Sequence, residues 1–124
     1  MTDITAADLQ AEIEAGWEKL AELNPETQGP IRTAVTEALL ALDSGALRVA
    51  SKVDGQWVTH QWLKKAVLMS FRLNENRIMR PGLMGDGLGP FWDKVPNKFN
   101  NWEETEFTHA GFRAVPGAIV RRGA

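Results

Sequence analysis

Arginine, in this chain, offers the clearest chemistry. Arg113 stands in Gly111-Phe112-Arg113-Ala114-Val115-Pro116. A guanidinium presents two parallel N–H donors to a carboxylate, a geometry that lysine cannot reproduce. On the residues alone, a strand-edge arginine paired with a nearby glutamate is the better explanation of Arg113. Arg121 and Arg122 follow close behind and could instead solvate or cap the chain there. The other chemical groups are weaker candidates. His60 and His109 are the only histidines, and no cysteine is present to complete a metal set, so no bound metal is expected. His60 reads as a helix-start residue and His109 as a surface-loop residue. Ser44 and Ser70 lack a histidine and carboxylate constellation, and are better explained as a helix-end residue and a helical packing residue. Glu103, Glu104 and Glu106 could suggest acid-base work, but adjacent exposed carboxylates usually form a solvated face. No residue of the chain is therefore assigned a catalytic role.

Lys64, Lys65, Arg72, Arg77 and Arg80 lie near tryptophans and could be drawn as a nucleic-acid patch. Against that, the formal net charge is −2, whereas nucleic-acid binders normally carry a basic surplus. The five tryptophans are better read as core and interface anchors. At 124 residues, 44% hydrophobic and 24% charged, the chain has the size and composition of one soluble domain. No apolar run is long enough to span a bilayer, and Met1-Thr2-Asp3-Ile4-Thr5 lacks the parts of a signal peptide. A cytoplasmic protein without a membrane or nucleic-acid partner is expected.

The elements that must position these residues follow from periodicity. Thr5 and Asp8 have capping-box spacing, and Leu9, Ile13, Trp17, Leu20 and Leu23 continue as one amphipathic helix until Asn24-Pro25 stops it. Pro30 suits a first helical turn, after which Ile31, Val35, Ala38, Leu39 and Leu42 predict a second helix closed by Ser44-Gly45. Leu47 to Thr59 predicts a hairpin about Asp54-Gly55. Pairing Val53 with Gln56 puts Val58 on the face of Leu47 and Val49, and Trp57 on the other, opposite Lys52. Thr59 or His60 starts a third helix, Gln61 to about Leu73, in which Trp62, Leu63, Ala66, Val67, Met69, Ser70 and Phe71 cover most of the circumference. That helix is expected at the centre of the core, with Trp62 and Phe71 buried.

From Asn74 to Pro90, four glycines and two prolines predict a mobile loop. Gly85-Asp86-Gly87-Leu88-Gly89 is no dinucleotide fingerprint, because no strand is predicted before it and no clear helix after it. Phe91, Trp92, Phe99, Trp102 and Phe107 read as apolar anchors of an irregular segment, and Phe112 to Val120 has strand character interrupted by Pro116 and Gly117. No internal repeat suggests a solenoid. The fold class is therefore mainly α, within α+β: a small helical domain with a β-hairpin between helices 2 and 3.

The unbroken string from Asp43 to Arg72, with Asp93-Lys94-Val95-Pro96-Asn97-Lys98-Phe99 and Gly111-Phe112-Arg113-Ala114-Val115-Pro116, resembles the N-terminal domain of tetrahydrodipicolinate N-succinyltransferases. The resemblance implies that residues 1–110 form the family's helical domain. Residues 111–124 would then be a strand-like lead-in to a left-handed parallel β-helix, which is absent from this chain and would begin near Arg122-Gly123-Ala124. It implies an enzyme of lysine and diaminopimelate biosynthesis. That enzyme passes a succinyl group from succinyl-coenzyme A, its co-substrate, to the amine of ring-opened tetrahydrodipicolinate, a small dicarboxylate. A homotrimer is implied for the full-length protein. The general base and the pantetheine site are expected in the β-helix, so this domain binds no cofactor and is inactive alone. It also implies that Arg113 contacts the acceptor, with Arg121 and Arg122 as weaker choices. The alternative is a non-catalytic oligomerisation or interaction module derived from the same family.

Overall fold

A computed structural model of the chain describes residues 4–80 and 90–124. It divides between Glu75 and Asn76 into two compact units. The first unit contains the three expected helices and the hairpin. Helix α1, Ala6–Trp17, opens on the predicted capping box, in which the Asp8 amide donates to Thr5 Oγ1 and the Thr5 amide to Asp8 Oδ2. The hydrogen bonds from Thr5, its side chain first, hold the Asp8 carboxyl below its usual range, so the cap is charged at neutral pH.

The expected single helix to Leu23 is corrected. It ends at Trp17, and Leu20–Glu22 forms a separate turn of 3-10 helix before the buried Leu23. Gly16, a poor helix former, lies at the break and accepts the Lys19 amide at 3.0 Å. It also permits close packing: a Cβ there would stand 2.6 Å from Met69 Cε and 3.0 Å from Ile31 Cγ2. Gly16→Val is therefore expected to destabilise by about 1–3 kcal/mol through overpacking, read as a lower urea midpoint. A midpoint at or above that of the parent would show that Met69 and Ile31 yield freely.

Helix α2, Pro30–Ser44, begins with proline at its first turn and ends at Gly45, whose φ of 81° is the left-handed cap expected of glycine. Arg32, from its first turn, donates to the carbonyls of Thr27, Pro25 and Leu73. It thus ties the α1–α2 connection to the end of the next helix. Strands β1, Ala50–Val53, and β2, Gln56–Thr59, pair in the expected register, Val53 with Gln56 and Lys52 with Trp57. Asp54 and Gly55 take φ of 50° and 80°, as a tight hairpin turn requires. The ladder is shorter than the predicted Leu47 to Thr59. Leu47 and Val49 precede it and pack on the core, whereas Val58, on their face, is exposed.

Helix α3, Gln61–Leu73, packs against both α1 and α2. Trp62, Leu63, Ala66, Met69 and Leu73 are buried against Leu9 and Ile13 of α1 and Val35, Ala38, Leu39 and Leu42 of α2. Two expectations fail here. Phe71 is only half-buried and Leu68 is exposed, so the helix is buried on one broad face and not all round. Phe71 falls about half a turn from the line of Trp62, Ala66 and Leu73, which explains its position.

The second unit departs further from expectation. Arg77–Met79 forms strand β3 and Phe91–Asp93 strand β4, paired antiparallel with Arg77 opposite Asp93 and Ile78 opposite Trp92. Strand β3 thus lies inside the predicted loop, and Phe91 and Trp92 are exposed strand residues and not buried anchors. Residues 81–89, on which the mobile-loop and fingerprint readings fall, lie outside the described residues. A fourth helix, α4, spans Glu104–Ala110 where no helix was predicted, and carries His109 in its last turn. Phe112 to Val120 is not a strand. Pro116 and Gly117, with φ of 93° at the glycine, make a turn closed by the Ala118 amide on the Val115 carbonyl at 3.0 Å.

Candidate functional site

Arg113 is placed by what precedes it. Glu103 and Glu106 form the capping box that starts α4, and the helix stops at Gly111, whose φ is 77° and whose amide donates to the Phe107 carbonyl at 2.9 Å. That left-handed cap turns the chain so that Phe112 meets Phe99, Trp102 and Phe107, with ring centroids 5.8, 5.9 and 6.4 Å away. Phe99, Trp102 and Phe107 themselves lie 4.8 to 5.3 Å apart in tilted and edge-on contacts. Tilted aromatic pairs at such separations attract through their quadrupoles as well as by burial. The cluster therefore fixes the backbone one residue before Arg113.

The Arg113 side chain is exposed, and no hydrogen bond or ion pair joins it to another described residue. The glutamate partner suggested by the residues alone is not seen among them. A guanidinium left open beside a fixed backbone can take a carboxylate through two N–H donors. Arg121 is differently engaged: its Nη2 lies 2.8 Å from Asp93 Oδ2. The Lys94 amide, and after it Arg121, hold the Asp93 carboxyl below the usual range. Arg122 is exposed, and its amide donates to the Pro96 carbonyl at 2.9 Å. Arg113 and Arg122 thus present exposed side chains, whereas that of Arg121 is held by Asp93.

The remaining sequence candidates resolve into structural roles. Ser51 Oγ and His60 Nε2 are 2.7 Å apart, with His60 at the cap position of α3. Ser44 Oγ donates to the Ala41 carbonyl at its helix end, and Ser70 Oγ to that of Val67. Glu103 and Glu106 cap α4, and Glu104 is exposed in its first turn. Lys65 is half-buried with Nζ 5.7 Å from the Trp17 ring centre, and Lys52 covers Trp57 at 5.6 Å. These are lysines on tryptophan faces within the first unit. Asp93 and Asn97 went unassigned in the sequence. Asn97 Oδ1 accepts the Phe99 amide at 2.7 Å, and Asn97 bridges to Arg121. The only available signal was the presence of both in the string Asp93 to Phe99. Among the described residues, no helix is long and apolar enough to cross a membrane.

A family described as tetrahydrodipicolinate N-succinyltransferase, N-terminal, matches residues 8–73. A 2,3,4,5-tetrahydropyridine-2,6-dicarboxylate N-succinyltransferase of Caulobacter vibrioides is 67% identical over 118 residues, covering 95% of this chain and 43% of that protein. Proteins of the same name from Paramagnetospirillum magneticum and Parvibaculum lavamentivorans are 57% and 54% identical. These matches cover 95% and 98% of this chain, and 41% and 42% of the relatives. The chain thus spans about two fifths of the length of the curated relatives it matches.

Proposed function

The chain belongs to the tetrahydrodipicolinate N-succinyltransferase family, in its N-terminal domain, and on that premise we propose that it forms the acceptor-side wall of such an enzyme. In the proposed reaction the amine nitrogen of ring-opened tetrahydrodipicolinate attacks the thioester carbonyl of succinyl-coenzyme A. The C–N bond forms, the C–S bond breaks, and coenzyme A leaves as the thiol with the proton lost by the amine. The observation that carries the reading is 67% identity over nearly the whole chain to a protein named for this transfer.

Such a reaction needs the amine held against the thioester, a base for its proton and stabilisation of the carbonyl oxyanion. This domain contributes to the first need alone. Arg113 binds one acceptor carboxylate, while base, oxyanion donors and the coenzyme A site belong to the rest of the polypeptide, in the β-helix for which residues 111–124 are the lead-in. The intact enzyme, on this reading, is a cytoplasmic homotrimer in lysine and diaminopimelate biosynthesis. The exposure of the second unit supports a wall completed by further chain: among its described residues none is fully buried, and even Phe112 is 47% exposed.

Coenzyme A release, followed by thiol titration with both substrates present, tests the reading. The intact polypeptide is expected to release the thiol only when the acceptor is added, and residues 1–124 alone are expected to release none. An intact polypeptide with no acceptor-dependent release would leave a non-catalytic assembly module as the function.

A further inference from the structure

Arg113 lies in a segment tethered at both ends. At its start Phe112 sits in the aromatic cluster. At its end Val120, Arg121 and Arg122 run beside Pro96, Asn97 and Lys98. The Lys98 amide donates to the Val120 carbonyl at 2.8 Å, and the Arg122 amide to that of Pro96 at 2.9 Å. Asp93 anchors this second tether. It closes β4 opposite Arg77, and accepts from Arg121 Nη2 at 2.8 Å and from the Val95 amide at 3.4 Å.

We propose that the Asp93–Arg121 ion pair is a positioning clamp, which fixes the downstream end of the Arg113 segment and so the direction from which Arg113 meets the acceptor carboxylate. Arg121 acts through Asp93 and does not touch substrate. The inference rests on the acceptor-wall reading above. Its physical basis is that bidentate recognition tolerates only small angular error, and a segment held at Phe112 alone samples more directions than one held at both ends. Being 49% and 41% exposed, the two side chains make a pair of modest strength, so the expected effect is small and specific.

Kinetics of the intact polypeptide carrying Asp93→Asn, Arg121→Gln or both test the clamp, with Arg113→Ala measured alongside. Each single variant is expected to raise the acceptor KM about two- to fivefold, with kcat and the succinyl-coenzyme A KM little changed. The double variant is expected to be no worse than the worse single, because both remove one interaction. Amide exchange at Lys98 and Arg122 is expected to quicken in Asp93→Asn. Damage in Arg121→Gln far beyond that in Asp93→Asn would overturn the proposal by making Arg121 a substrate contact. So would unchanged acceptor kinetics or unchanged exchange in Asp93→Asn while Arg113→Ala is impaired. A neutral Arg113→Ala would overturn the acceptor-wall reading itself, and the clamp's role with it.

Discussion

Truncating Leu63 to alanine is expected to destabilise the helical unit by about 2–5 kcal/mol, the range for a large aliphatic side chain removed from a packed interior. Leu63 is 1% exposed and sits on α3 where α1 and α2 also bury their apolar faces, so the cavity left by three carbons has no side that solvent can fill. Phe71→Ala on the same helix is expected to cost less despite the larger side chain, because Phe71 is half-buried before the change. Lys64→Ala, at an exposed position, sets the baseline. Lys65 would be a poor control, since its ammonium lies over Trp17 and its stem is partly covered. Urea unfolding of the three variants checks the order. A Phe71→Ala midpoint below that of Leu63→Ala would mean that the outer face of α3 carries more of the stability than its inner face.

Which parts of this architecture could be read in advance depends on the range of the interactions that make them. The helices of the first unit depend on apolar residues three and four apart and on local punctuation: the Thr5–Asp8 box, Pro30, Gly45. The hairpin register depends on Asp54-Gly55, where two adjacent residues must both reach positive φ. Each signal lies within a turn or two of its consequence. Phe71 departs from its expected burial for a different reason: being apolar does not by itself place a residue in the core, and Trp62, Ala66 and Leu73 mark the opposite side of the helix.

In the second unit the determinants are short or distant. Strands β3 and β4 have three residues each and expose Ile78, Phe91 and Trp92, so no alternation of buried and exposed residues marks them. Helix α4 has seven residues and is capped by Glu103, outside the usual set of serine, threonine, aspartate and asparagine. Between Phe112 and Val120 the composition suits a strand, but the Pro116-Gly117 turn interrupts it. The Asp93–Arg121 contact joins residues 28 apart, a separation that local pattern cannot disclose. Arg113 was legible only through resemblance. Its motif names it, whereas residue type and spacing alone favour an ordinary strand-edge arginine.

That ambiguity at Arg113 is open to measurement. Arg113→Lys in the intact polypeptide keeps the positive charge but replaces a planar fork by a single ammonium, so the loss isolates geometry from charge. A charge-assisted hydrogen bond contributes about 1.5–3 kcal/mol, and kcat/KM for tetrahydrodipicolinate is therefore expected to fall roughly tenfold to a hundredfold. Arg113→Ala is expected to fall at least as far. The KM for succinyl-coenzyme A is expected to change little in either variant, since its binding groups are assigned to the rest of the polypeptide. Folding is not expected to confound the comparison, because the Arg113 side chain is exposed and makes no hydrogen bond or ion pair with another described residue. The packing that fixes its backbone belongs to Phe112. Steady-state rates with each substrate varied in turn separate the cases. A lysine variant with normal acceptor kinetics beside a damaged alanine variant would show that charge alone suffices. If both variants matched the parent, the carboxylate would be held by other residues, and the exposed guanidinium of Arg113 would be a solvated surface group.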